Sequence, residues 1–343
     1  PEPYGSGFFN VHFSMNRNYY WLVIISGMLL HALTGNTQVL INDPAYTRGD
    51  TLPVRKDSVL NFIVMGDWGR NGADHQKEVA RQMDITATVY HTQFIISTGD
   101  NFYPSGVISE WDPLWRYSFE DIYTGFHLQW DWYPVLGNHD YKSNPDAQVK
   151  YSKISRRWQM PARYYAKKFY INGDTSQAVL IAFIDTNPLI PLFYKNREYG
   201  PNVSSQDSTK QKKWLEKVLS DPSPAIKWKI VVGHHPMYSG GGRTETYDTK
   251  AIRNWLSPVF AKYGVDVYLS GHEHSLQYMG PVDKTHHFIS GAASEKTPAR
   301  LIDISRFAAS EYGFMLFSIQ KNRLSMQTID YTGKTIYQTT LSR

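Results

Sequence analysis

The sequence predicts an α/β fold with mixed sheets and βαβ units, and two observations carry that prediction. Residues 59–65 are an apolar run, residues 74–90 place apolar side chains at helical spacing, and residues 94–97 are apolar again. Strand, helix, strand in that order implies a parallel pair, because a parallel return needs a crossover. The second observation lies at the other end, where residues 276–279, 286–289, 314–319 and 324–329 follow as a closing set of antiparallel strands. Parallel units followed by hairpin-like strands give mixed sheets.

The bulk properties set limits on function. The chain has 343 residues, enough for one large domain or two small ones. With 41% hydrophobic, 20% charged and 15% aromatic residues it is a globular chain, not a disordered one. There is no cysteine, which excludes disulfides, thiolate metal sites and a cysteine nucleophile. Any metal site must therefore use oxygen and nitrogen ligands. The net charge of +5 favours anionic substrates, but no basic stripe is present, so no nucleic-acid partner is expected.

Three segments are expected. Residues 1–35 form an N-terminal extension whose apolar run, 19–33, follows the basic lead Met15-Asn16-Arg17-Asn18 and ends in Thr34-Gly35-Asn36. That length suits a signal peptide better than a spanning helix, which needs about 20 apolar residues, with an uncleaved signal anchor or a core helix as alternatives. The chain is accordingly expected in the secreted space or an endomembrane, lysosomal or vacuolar lumen, as a monomer, and at a membrane only if that segment stays uncleaved. Residues 36–58 read as an extended leader with two prolines, and residues 59–343 as one catalytic domain.

Within that domain, Asp74 is the expected N-cap of the first helix, whose inward positions are Val79, Ala80, Met83, Ala87 and Tyr90. A helix is expected at 115–123, a strand at 133–136, an irregular stretch at 142–168 and strands at 169–171 and 178–184. Residues 187–205, with three prolines, read as a loop carrying the sequon Asn202-Val203-Ser204, an exposed glycosylation candidate in a secreted chain. A helix with Trp214, Leu215, Val218 and Leu219 on one face leads to a strand at 229–232. Another helix, 248–263, is stopped by Gly264 and expected to kink or divide at Pro258, before a strand at 265–269.

Five turns repeat one pattern, an apolar run and then glycine beside aspartate, asparagine or histidine. They are Gly66-Asp67-Trp68-Gly69, Gly99-Asp100-Asn101-Phe102-Tyr103, Leu136-Gly137-Asn138-His139-Asp140, Gly233-His234-His235-Pro236 and Gly271-His272-Glu273-His274. Each follows a predicted strand, and ligands of open α/β sheets gather beyond the carboxyl ends of strands. The candidate donors are Asp67, Asp100, Tyr103, Asn138, His234, His272 and His274. Seven donors exceed one tetrahedral ion but suit two ions sharing a bridge, and a carboxylate such as Asp100 has an oxygen for each. In His272-x-His274 the alternation of an extended segment points both imidazoles the same way. Singly, a Gly-Asp or Gly-His turn is as readily an ordinary turn; the ordered set of five carries the inference.

With these residues in view, the chain from about Asn61 onward resembles the calcineurin-like metallophosphoesterases and, among them, the purple acid phosphatases of the short, tartrate-resistant animal type. The resemblance implies a four-layer α/β/β/α sandwich. Most of that superfamily has a histidine where this chain has Gly69, whereas purple acid phosphatases supply a tyrosine where it has Tyr103. The resemblance implies iron(III) held by Asp67, Asp100, Tyr103 and His274, and a divalent ion (iron, zinc or manganese) held by Asp100, Asn138, His234 and His272. It also implies a violet colour from the Tyr103 phenolate. Two cations would lower the pKa of bound water, so that hydroxide attacks a phosphate monoester in line with no covalent intermediate. His139 matches the active-site histidine that contacts phosphate and protonates the leaving group, and Asp140 is expected to orient His139 or the groups behind the ligands, not to bind metal. Where relatives carry a further histidine this chain has Arg243, which can clamp a phosphate oxygen but not donate a proton. Leaving-group protonation then falls to His139, a water or His235. Residues 187–205 sit where the animal enzymes carry a repressing loop, and their disulfide cannot form here. The alternatives are a membrane-tethered, non-catalytic scaffold on the same fold, and another metallophosphoesterase such as a protein phosphatase or nucleotidase. A scaffold is expected to have lost ligands, and Tyr103 with Gly69 speaks against the others.

Overall fold

The computed structural model describes residues 38–46 and 59–343; the targeting segment expected at 1–35 and most of the expected leader lie outside the described residues. The first half runs β1 (Gln38–Ile41), β2 (Leu60–Met65), α1 (Gln76–Tyr90), β3 (Phe94–Ser97), β4 (Asp131–Pro134), α2 (Pro145–Tyr151), β5 (Tyr165–Tyr170) and β6 (Ala178–Phe183). It continues with α3 (Gly200–Val203), α4 (Ser208–Leu219), β7 (Ile226–Val232), α5 (Tyr247–Tyr263) and β8 (Val267–Ser270). The closing strands are β9 (Leu276–Val282), β10 (Thr285–Ser290), β11 (Ser305–Ser310), β12 (Gly313–Ile319), β13 (Arg323–Asp330) and β14 (Thr335–Ser342).

Two mixed sheets result. One has eight strands in the order β1-β11-β9-β10-β8-β7-β6-β5, the other six in the order β14-β13-β12-β2-β3-β4. The parallel parts are β2-β3-β4 in the smaller sheet and β6-β7-β8-β10 in the larger. Every residue of β2, β3, β6 and β8 is buried, as strands covered on both faces must be. The sheets meet through aromatic rings. Phe94 of β3 stacks on Phe169 of β5 at 4.1 Å, and Phe288 of β10 meets Phe317 of β12 edge-on at 5.3 Å. Helix α1 covers the smaller sheet and α4 the larger, which completes the expected α/β/β/α layering.

Several expectations need correction. β1, inside the expected extended leader and not expected to join a sheet, pairs antiparallel with β11; its four residues are too few to show a period. Asp74 is not the N-cap of α1. The helix starts at Gln76 after His75 in the left-handed region, and the Gln76 side chain accepts from the Arg70 and Gly72 amides instead. Residues 115–120 form a π-helix, and the irregular stretch contains α2 and most of β5. Pro258 neither divides nor ends α5. Asn254, whose carbonyl loses its helical partner, and Pro258 are both exposed, so water serves that carbonyl. The closing strands are not one antiparallel set: β9 and β10 join the larger sheet, with β10 parallel to β8, while β12, β13 and β14 build the smaller. The expected exposed sequon is partly buried. Asn202 Nδ2 donates to the carbonyls of Tyr141 (2.8 Å) and Ser143 (2.7 Å), so the folded chain offers no free amide for a glycan there.

Candidate metal centre

The five turns leave the carboxyl ends of β2, β3, β4, β7 and β8, and those ends converge. Parallel pairing makes this inevitable, because each such strand delivers its following turn to the same edge. The turns are locked to one another by backbone bonds. The Asp67 amide donates to Gly99 O, Gly233 N to Leu269 O, and Gly271 N to His234 O. Trp68 anchors the first turn in an aromatic cluster with Phe102, Phe119, Tyr123, Trp132 and Trp158, its Nε1 donating to Ser97 Oγ at 2.9 Å. Gly99, at φ 96°, must lack a Cβ, since one would lie 2.7 Å from His234 Nδ1 and 2.8 Å from Gly137 N. Asp67 (φ 58°), Asp100 (φ 48°) and His272 (φ 68°) occupy the left-handed region too, a strained backbone of the kind that gathers at functional sites.

All seven predicted donors are brought together. Tyr103 Oη lies 3.2 Å from both Asp67 Oδ1 and Asp100 Oδ2 and 3.1 Å from His274 Nε2. His274 Nε2 is also 3.4 Å from Asp67 Oδ1. On the other side, His234 Nε2 lies 3.2 Å from Asn138 Oδ1, 3.1 Å from His272 Nδ1 and 3.4 Å from Asp100 Oδ2. Asp100 is thus the residue common to both groups, as expected of a bridge. Asp67, Asp100 and His234 each offer a ligand atom within 4.8 Å of the others.

The electrostatics differ across the site. Burial raises the Tyr103 phenol well above its ordinary pKa, and the Asp100 and Asp67 charges raise it further. A phenol between two carboxylates ionises only if a cation lies among them. His274 is pushed up to about 10: burial lowers it, but Asp67 and Glu295 more than compensate. His272 is pushed down to about 4, chiefly by burial, so its imidazole is neutral and fit to ligate. Carboxylate, phenol, amide-carbonyl and imidazole atoms crowded at 3.1–3.4 Å, with few protons to share, fit a pair of cations.

The neighbouring candidates separate. His139 donates its amide to Asp100 Oδ1 at 2.7 Å, and its Nδ1 is 2.6 Å from Pro104 O. That leaves its Nε2, 4.0 Å from Asp100 Oδ2, facing the site. Of the two roles expected for Asp140, it takes the bracing of the ligand turns and not the orienting of His139. Its fully buried carboxylate accepts from the Asn101 (3.1 Å), Phe102 (3.3 Å) and Gly137 (2.8 Å) amides, tying the second turn to the third. His235, expected as an alternative proton donor to the leaving group, has no exposed surface and is held by Thr186 Oγ1 at 2.7 Å, so that role is corrected. Arg243 has its amide on Glu273 Oε1 (2.6 Å) and its Nε 3.9 Å from Asp248 Oδ2. It lines a cavity of about 310 Å³ with Asn138, His272, Phe193, Tyr199 and Tyr247. The 187–205 segment is anchored to the site at Asn187 and Tyr199, while 191–192 and 194–198 are exposed. Asn187 Nδ2 donates to the Leu136 and Gly137 carbonyls (3.3 and 3.4 Å), and Asn138 Nδ2 lies 3.4 Å from Tyr199 Oη.

Three supporting residues escaped the sequence reading. Asp248 Oδ2 is 2.9 Å from His272 Nε2, and Glu295 Oε2 is 3.2 Å from His274 Nδ1. Arg70 pairs with Glu295 and lies 3.9 Å over the Tyr103 ring. Carboxylates on the far nitrogens of ligating histidines orient them, but neither Asp248 nor Glu295 sits in a motif that marks it.

Residues 60–276 match the calcineurin-like phosphoesterase family. Purple acid phosphatase 17 of Arabidopsis thaliana is 36% identical over 251 residues, 71% of each chain. Tartrate-resistant acid phosphatase type 5 of Rattus norvegicus is 32% identical over 307 residues, 83% of this chain and 91% of the relative. Among solved structures, GAP50, the anchor in the inner membrane complex of Plasmodium, superposes with a TM-score of 0.71 at 24% identity, over 83% of this chain and 89% of that one, a likeness of fold. The chain belongs to the calcineurin-like phosphoesterases and, within them, to the purple acid phosphatases, which are phosphoester hydrolases.

Proposed function

We propose that the chain is an acid phosphatase of phosphate monoesters working at a binuclear iron(III)–divalent metal centre. The observation that carries this reading is Tyr103 Oη at 3.1–3.2 Å from Asp67, Asp100 and His274, a phenol placed where only a strongly charged cation makes it useful. Asp67, Asp100, Tyr103 and His274 would hold iron(III); Asp100, Asn138, His234 and His272 would hold iron, zinc or manganese. When bound, the ions supply Lewis-acid charge that activates water and neutralises phosphoryl oxygens, without a covalent phosphoenzyme. His139, with Nδ1 fixed on Pro104 O, directs Nε2 at the phosphate and protonates the departing alcohol. Arg243, on the cavity wall beside Asn138 and His272, clamps a phosphate oxygen. A secreted or lumenal location belongs to the same proposal; among the described residues no helix is long and apolar enough to cross a membrane.

The test is hydrolysis of 4-nitrophenyl phosphate across pH, before and after chelation. Acid-range turnover that disappears with the metals and returns on reloading is expected; turnover indifferent to chelation would contradict the proposal. The second reading, a non-catalytic scaffold, is favoured by the structural likeness to GAP50, the anchor in the inner membrane complex of Plasmodium. A metal-replete chain with no hydrolysis of any monoester would support that reading.

A further inference from the structure

Resting on the binuclear reading above, we propose that His235 is a direct ligand of the divalent ion. That position is then a three-imidazole locus of His234, His235 and His272 that selects zinc over manganese. His235 is fully buried, and its Nε2 has no hydrogen-bond partner among the described residues. The rest of the residue is fixed. Nδ1 is 2.7 Å from Thr186 Oγ1, the amide donates to the same hydroxyl at 3.3 Å, and the carbonyl accepts from Tyr268 Oη at 2.7 Å.

In the tautomer that donates Nδ1–H to Thr186 Oγ1, the ring presents an unshared lone pair at Nε2, as a metal ligand needs. The ring lies 4.4 Å from that of His272 and 4.9 Å from that of His234, centroid to centroid. One ligand atom from each of the three histidines falls within 4.8 Å of the other two. As mere packing, histidine is a poor choice here, because phenylalanine fills similar space without burying an unpaired polar atom. As a ligand, that same atom acquires a partner. Three imidazoles with the Asp100 carboxylate and the Asn138 amide oxygen form a nitrogen-rich donor set that suits zinc better than manganese, which prefers oxygen.

The test is zinc-edge X-ray absorption on the full chain loaded with iron and zinc, with imidazoles counted from their multiple scattering. Three imidazoles per zinc are expected, and two in His235→Phe. Zinc affinity relative to manganese, read by chelator competition, should fall about tenfold in that variant. The visible band of the Tyr103–iron side reports that the variant is folded, and should the variant not fold, the wild-type imidazole count decides alone. Two imidazoles in the wild type, or an unchanged zinc-to-manganese ratio in a folded variant, would overturn the role of His235 and leave the binuclear reading standing. A chain that takes up no divalent ion beside iron would overturn both.

Discussion

The two halves of the metal centre are built from different chemistry. Around Tyr103 the donors are two carboxylates, a phenol and one imidazole, and that imidazole is backed by Glu295. Around His234 they are imidazoles and an amide oxygen, with Asp100 the one carboxylate, shared with the first half. The protonation equilibria cut across that division: burial lowers all three imidazoles, but facing carboxylates push His274 up to about 10 and His234 up to about 9, while His272 is pushed down to about 4. An oxygen-rich corner suits a hard trivalent ion and a nitrogen-rich corner a softer divalent one. Seven donors that read alike in the sequence are thus sorted by the fold into two unequal sites.

The largest effect should follow removal of what the corners share. Asp100→Asn is expected to lower kcat/KM about 10³-fold or more, with loss of both metals measurable by elemental analysis. Tyr103→Phe breaks the comparison on one side only: the visible band disappears and iron(III) affinity falls about 100-fold, while zinc is retained. Glu295→Gln and Asp248→Asn sharpen it further. Each should cost about 10–100-fold in affinity for the ion of its own corner and leave the other unchanged, as read by separate iron and zinc titrations.

Outside the site, His287 shows what a buried imidazole does without a carboxylate. It is pushed down to about 3, by burial and then by His286. The unfolded chain therefore takes up a proton near pH 6.5 while the folded chain does not until about pH 3, so this group costs stability as pH falls through that window. Between pH 7 and 5, His287→Phe should lose about 2 kcal/mol less stability than the native chain, measured by denaturant unfolding. The smallest effect is expected from Arg243→His, a change of a few-fold in turnover on poor leaving groups with a shifted pH–rate profile. An unchanged profile would remove Arg243 from the chemistry.

Of the strands that carry ligands, β2, β3 and β8 were legible because burial along their whole length makes them nearly continuous apolar runs, and β7 through its apolar end Ile230–Val232. Each ends in a turn whose polar residues have no reason to cluster unless they bind something. β3 and its Gly-Asp turn lie where the pattern puts them. β1 and β11 were not legible, since the short β1 and the small, polar β11 (Ser-Arg-Phe-Ala-Ala-Ser) gain their place only by pairing with each other and with β9. Asp248 and Glu295 were equally silent. They act through histidines 24 and 21 residues away in the chain, and only the folded distances of 2.9 and 3.2 Å reveal them. His235 reads in the sequence as a stand-in proton donor where Arg243 replaces a histidine, whereas its side chain is fully buried and held by Thr186.

The division of the site into two unlike metal positions is tested most directly by anomalous diffraction at the iron and zinc edges, from crystals of the chain loaded with both ions. The account predicts an iron peak enclosed by Asp67, Tyr103 and His274 and a zinc peak enclosed by Asn138, His234 and His272, with Asp100 touching each. A single peak, or iron and zinc mixed equally over both positions, would contradict it.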